Sequence, residues 1–108
     1  MTGAVIVGNM PAASANDMTI TLRNGAVVGK YIDETDQICV NNGLNASVDA
    51  YVYLRRPDGS IRADVTDPTA GDGKRACTVN LSIPEDEYGW RIELHYESDM
   101  KLSDRFYT

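Results

Sequence analysis

The chain has 108 residues, with 43% hydrophobic and 24% charged positions and a formal net charge of −6 from 10 basic and 16 acidic side chains. A chain of this size makes one domain and can bury roughly 65% of its unfolded surface, enough for a core of its own. The acidic balance argues against nucleic acid and anionic membrane as partners, because both need a basic footprint, and no apolar run approaches the ~20 residues that span a bilayer.

Residues 1–16 carry no charge and contain an apolar stretch around Val5, Ile6 and Val7. Ala13-Ser14-Ala15 has the small-residue character of a signal cleavage site. A signal peptide also needs a positive n-region and a longer apolar segment, and the first basic residue is Arg23. The reading adopted is an N-terminal arm, 1–16, that becomes ordered in a sheet or on a partner; a signal remnant is the alternative.

Residues 18–22 alternate and predict a first strand, and Asn24-Gly25 is a tight-turn signal that returns the chain as a second strand over 26–32. Residues 37–40 make a short strand ended by Asn41-Asn42-Gly43. Val48, Ala50, Val52 and Leu54 alternate with Asp49, Tyr51, Tyr53 and Arg55, and Pro57-Asp58-Gly59 then turns the chain into a strand over 60–65. A Gly- and Pro-containing loop covers 67–74. Cys77, Val79, Leu81 and Ile83 predict a strand stopped by Pro84. Over 89–97, Trp90, Ile92, Leu94 and Tyr96 fall on one face and Arg91, Glu93, His95 and Glu97 on the other, the period of a central antiparallel strand with one packed and one wet face. A turn over 98–101 leads to a closing strand over 102–108. Seven or eight strands without a helical period predict an all-β antiparallel sandwich over 17–108. Trp90, Ile92, Leu94, Val52, Leu54, Val79 and Leu81 are its expected core.

Cys39 and Cys77 fall on opposite faces of these predicted strands, which disfavours a bridge unless a bulge shifts the phase. Two reduced, partly buried cysteines are the expectation. His95, the sole histidine, reads as a surface residue between Glu93 and Glu97, with no nucleophile placed beside it. Zinc spacing is absent. Three acidic groups could contribute ligands to calcium: Asp33, Glu34 and Asp36; Asp64, Asp67 and Asp72; Glu85, Asp86 and Glu87. None follows a calcium-loop spacing, and all read as solvated turns. With no phosphate loop and no nucleophile elbow either, no enzyme, cofactor or metal is expected. Tyr51 and Tyr53 project together from one strand face, where they can stack on a sugar, meet a partner or pack within the domain.

The second half has a recognisable cadence. Val52-Tyr53-Leu54-Arg55-Arg56-Pro57-Asp58-Gly59 leads to Val79-Asn80-Leu81-Ser82-Ile83-Pro84, then to Gly89-Trp90-Arg91-Ile92 and a terminal Arg105-Phe106-Tyr107-Thr108. Over residues 36–108 it resembles the immunoglobulin-like sandwich modules of phage baseplate and accessory virion proteins and of bacterial surface proteins. It departs from antibody-type domains, because Trp90 follows both cysteines instead of lying between them. The resemblance implies an immunoglobulin-like sandwich in a non-enzymatic virion component, either capsid decoration, tail or baseplate protein, that works through protein contacts or self-association. Val5, Ile6, Val7, Tyr51 and Tyr53 are the expected contact residues. The alternative is a secreted bacterial binding module or inhibitor whose loops take a carbohydrate or protein. A calcium-dependent adhesion module is a third possibility.

Overall fold

The computed structural model describes residues 16–44, 48–68 and 73–108. Among them are nine strands: β1 (Met18–Leu22), β2 (Val27–Ile32), β3 (Gln37–Asn42), β4 (Ala50–Arg55), β5 (Ile61–Asp67), β6 (Ala76–Cys77), β7 (Tyr88–Tyr96), β8 (Asp99–Leu102) and β9 (Phe106–Tyr107). A single 3₁₀ turn, Arg23–Gly25, joins β1 to β2. The smaller sheet runs β1-β2-β3-β6. The larger runs β9-β7-β4-β5, with β8 also pairing β7. Every pairing is antiparallel. Two antiparallel sheets packed on a shared core make this an all-β sandwich.

The alternation read from the sequence sets the core. From β7 come Trp90, Ile92, Leu94 and Tyr96, from β4 come Ala50, Val52 and Leu54, and all are buried. Val27, Tyr31, Ile38 and Val40 face them from the smaller sheet. Gly29 is where the two layers approach closely. A Cβ there would lie 3.3 Å from Leu94 Cδ1 and 3.4 Å from Val52 Cγ2, so even alanine requires these two side chains to give by a few tenths of an ångström. Gly89 has φ +109° and stands against Pro57, which lets β7 begin with a backbone turn closed to most other residues.

Three expectations are corrected. The strand predicted over 77–83 pairs only as Ala76–Cys77; beyond it the chain departs from the sheet, Val79 is exposed (79%) and Leu81 is only partly buried. Thr78 and Leu81 still donate their backbone N–H groups to Ile38 O and Asp36 O, so 78–81 runs along β3 without forming a regular ladder. The turn placed over 98–101 is shorter, Met100 and Lys101 belong to β8, and the closing strand is split into β8 and β9.

The cysteines are the third correction. Cys39 and Cys77 are directly opposed across β3 and β6, with Cα atoms 4.1 Å apart, and form a disulfide. The phase argument failed because Val79 and Leu81 do not mark a core-facing strand. Cys77 points outward, and so does Cys39, which is nevertheless covered on that face by neighbouring side chains.

Polar fastenings tie the layers together. The backbone N–H of buried Asn42 on β3 donates to Oδ2 of buried Asp67 on β5 at 2.8 Å, and its side-chain amide donates to Val48 O. Arg23 donates to Asp99 at 2.7 Å and Glu97 at 2.8 Å and lies over the Tyr96 ring, clipping the β1–β2 turn to the β7–β8 turn. The Thr108 hydroxyl donates to Pro84 O, and Asn16 donates to Thr108 O.

Trp90→Ala removes a buried ring from the core and is expected to cost about 3–5 kcal/mol in denaturant unfolding. Reducing the disulfide reopens a loop with a sequence separation of 38; the expected loss is about 2–4 kcal/mol, read as a lower urea midpoint with dithiothreitol.

Candidate functional site

The outward face of the larger sheet gathers the most chemistry. On β4, Tyr51, Tyr53 and Arg55 alternate away from the core. On β7, Arg91, Glu93 and His95 do the same. The register sets Tyr51 opposite His95, Tyr53 opposite Glu93 and Arg55 opposite Arg91. On the other side of β7, His95 pairs with Met100 and Glu93 with Leu102, and both apolar side chains are exposed.

The rings form a packed cluster. His95 stacks on Tyr51 at 4.7 Å with planes 5° apart, while Tyr53 meets each edge-on at 5.4–5.5 Å. Arg55 lies over Tyr53 and donates through Nε to Glu93 Oε1 at 2.8 Å. His95 Nε2 is 2.5 Å from the other carboxylate oxygen. Glu93, expected in water, is buried (8% exposed). Burial raises its carboxyl, but hydrogen bonds from Arg55 and His95 outweigh that and hold it below the usual range. His95 is likewise no isolated surface residue. Its side chain is 19% exposed, and it joins the rings to the ion pair.

A second cluster forms at one end of the sandwich. Carboxylate oxygens of Asp33, Asp36 and Glu85 lie within 4.8 Å of one another, which joins two acidic groups that are far apart in the chain. Tyr31 donates its hydroxyl toward Asp33 at 3.4 Å and Asp36 at 3.2 Å. The Ile83 N–H donates to Asp36 Oδ2 at 3.0 Å, and the Asn16 amide to Asp33 Oδ2 at 3.3 Å. Burial, with Asp36 nearby, raises the Asp33 carboxyl, and Asp33 raises Glu85. Burial and the two aspartates hold the Tyr31 hydroxyl protonated as a donor. These three carboxylates could ligate a cation. The two inner ones already accept protein donors, the pattern of a hydrogen-bonded junction that holds the β2–β3 turn to the 81–85 segment.

A shallow cleft of about 460 Å³ lies between the β4–β5 hairpin and the segment before β7, lined by Arg56, Arg62, Pro57, Pro84 and Trp90 among others. The Trp90 indole N–H is held by Glu87, and Arg62 donates to Leu81 O. It does not pair a nucleophile with a base.

Of the expected contact residues, Tyr51 and Tyr53 stand together on the outward face, whereas Val5, Ile6 and Val7 lie outside the described residues. Arg55, Glu93 and His95 were missed as members of a site. The two strands' alternation placed them outward, but only cross-strand register reveals which of them meet. No protein-family model and no curated protein matches the chain. Fold and face together define an all-β sandwich protein with an aromatic and charged outer sheet.

Glu93 ionises more readily folded than unfolded, so its contribution to stability is present above the unfolded carboxyl range and is lost as pH falls through and below about 4.5. Glu93→Gln is expected to cost about 2 kcal/mol at pH 7 and to flatten the acid limb of a stability–pH curve measured by urea unfolding. For the acidic junction, Asp36→Ala leaves the Ile83 N–H unmet and the Tyr31 hydroxyl with Asp33 alone, and is expected to lower stability by about 1–3 kcal/mol. Millimolar calcium is expected to leave the wild-type melting temperature where EDTA leaves it; a rise would assign the cluster to a cation.

Proposed function

We propose that this protein is a non-enzymatic structural module with an immunoglobulin-like sandwich, a component of a phage virion that assembles through protein–protein contacts. The observation that supports this reading is the outward face of the larger sheet. Partly buried Tyr51, Tyr53 and His95 are already packed into a rigid surface, and exposed Met100 and Leu102 continue it. Pre-ordered aromatic rings with flanking Met and Arg suit protein interfaces, because little side-chain entropy remains to be lost on contact. At the end of the larger sheet, β5 has no second partner among the described residues; such an edge can accept an added strand, the role assigned to Val5, Ile6 and Val7 of a neighbouring copy.

The disulfide favours a second reading. Disulfides persist on secreted proteins as well as on virion surfaces, and a stacked tyrosine face can also take a sugar ring, as in a secreted bacterial binding module.

Light scattering on the full chain tests the assembly reading. The expected outcome is an oligomer that Tyr53→Ser with Met100→Ser converts to a monomer of unchanged far-UV circular dichroism. A wild-type monomer would shift the assignment to the secreted binding module.

A further inference from the structure

On the same face, Arg55 and Arg91 are direct cross-strand partners. Like charges placed opposite each other oppose sheet formation unless something neutralises them. Arg55 has partners: its Nε and one Nη reach the Glu93 carboxylate, and the other Nη donates to Gly59 O. Arg91 has none. Its side chain forms no hydrogen bond or ion pair among the described residues, and its Nε is buried without an acceptor. Glu93 is turned to Arg55 and His95 and makes no ion pair with Arg91. A third guanidinium stands close by. Arg105 donates to Gly89 O, two residues before Arg91, and reaches toward Pro57 O, two residues after Arg55. It too has no acidic partner among the described residues. In a chain of net charge −6, Arg91 and Arg105 thus stand without an ion-pair partner among the described residues.

We propose that Arg91, flanked by Arg55, is the docking point for a carboxylate on an acidic segment of a partner protein. The proposal rests on the face being a protein-contact surface. The buried Nε is out of a partner's reach, but the two Nη groups of Arg91 are not buried and can hold a carboxylate through two parallel N–H···O bonds. Exposed Leu102, the cross-strand partner of Glu93, is the diagonal neighbour of Arg91, and exposed Met100 follows it along the strand opposite His95; both suit apolar side chains that flank the partner's acid. Nucleic acid is disfavoured, because the acidic remainder of the surface repels a phosphate backbone.

The test uses the full chain and NMR of the arginine Nε–H resonances during titration with a (Glu-Leu)₃ peptide, with (Gln-Leu)₃ and inorganic phosphate as controls. The expected result is a saturable shift of the Arg91 resonance with the Glu peptide. Binding should be about tenfold or more weaker with the Gln peptide, and weaker by a similar factor in Arg91→Gln. Arg91→Lys, which keeps the charge and loses the fork, is expected to fall between. No saturable shift at millimolar Glu peptide overturns the proposal, as does equal binding by wild type and Arg91→Gln. A response to phosphate as strong as that to peptide overturns the acidic-segment assignment and leaves a simple anion site. Should Arg91→Gln not fold, the wild-type comparison of Glu with Gln peptide decides alone. If the peptide is not bound while Tyr53→Ser with Met100→Ser still abolishes self-association, this inference fails and the assembly reading stands.

Discussion

The structure depends on β7 serving two environments at once. Its inward residues, Trp90, Ile92, Leu94 and Tyr96, are all buried, while its outward residues, Arg91, Glu93 and His95, build the charged and aromatic face. The hydrophobic term holds this arrangement in register. Sliding β7 by one residue against β4 would turn the tryptophan and leucine into water and drive a glutamate and an arginine into the core. The same register that protects the core therefore brings His95 onto Tyr51 and Arg91 beside Arg55. Because the face lies on paired strands and not on loops, its rings and charges are held rigidly, which is what a contact surface or a stacking platform requires.

Around that core, the ends of the sandwich are closed by polar and covalent fastenings. The disulfide joins β6 to β3, Asp36 binds the 81–83 segment to the β2–β3 turn, Arg23 clips two turns together, and Asn42 bridges to Asp67 across the layers. A domain of this size has a limited apolar core, so fixing its irregular segments in this way reduces the conformational freedom that folding must overcome. It also bears on function. Acidic residues that look like loop ligands in the sequence are partly used in holding the fold, so the outer sheet has the stronger claim to be the working surface.

Much of the architecture was legible because a strand's period is local. Every predicted strand with clean alternation and a good turn at its end is present, from β1 with its Asn24-Gly25 return to β4 and β5 around Pro57-Asp58-Gly59. The exception is the stretch after Cys77. Its alternation of Cys77, Val79, Leu81 and Ile83 matches that of a buried strand, yet only Ile83 is buried. Alternation reports which residues share a face; it does not report whether a neighbouring strand is there to cover that face.

The sequence by itself determined the all-β class, the strand faces, most of the core around Trp90 and the outward placement of Tyr51 and Tyr53, since each follows from backbone geometry over a few adjacent residues. Only the tertiary structure decided which distant residues meet: Cys39 with Cys77, Asp36 with Glu85, Tyr51 with His95, Arg55 with Arg91. Those meetings depend on strand order and register, which arise from packing the whole chain at once. A period-two pattern is the same whichever strand lies beside it.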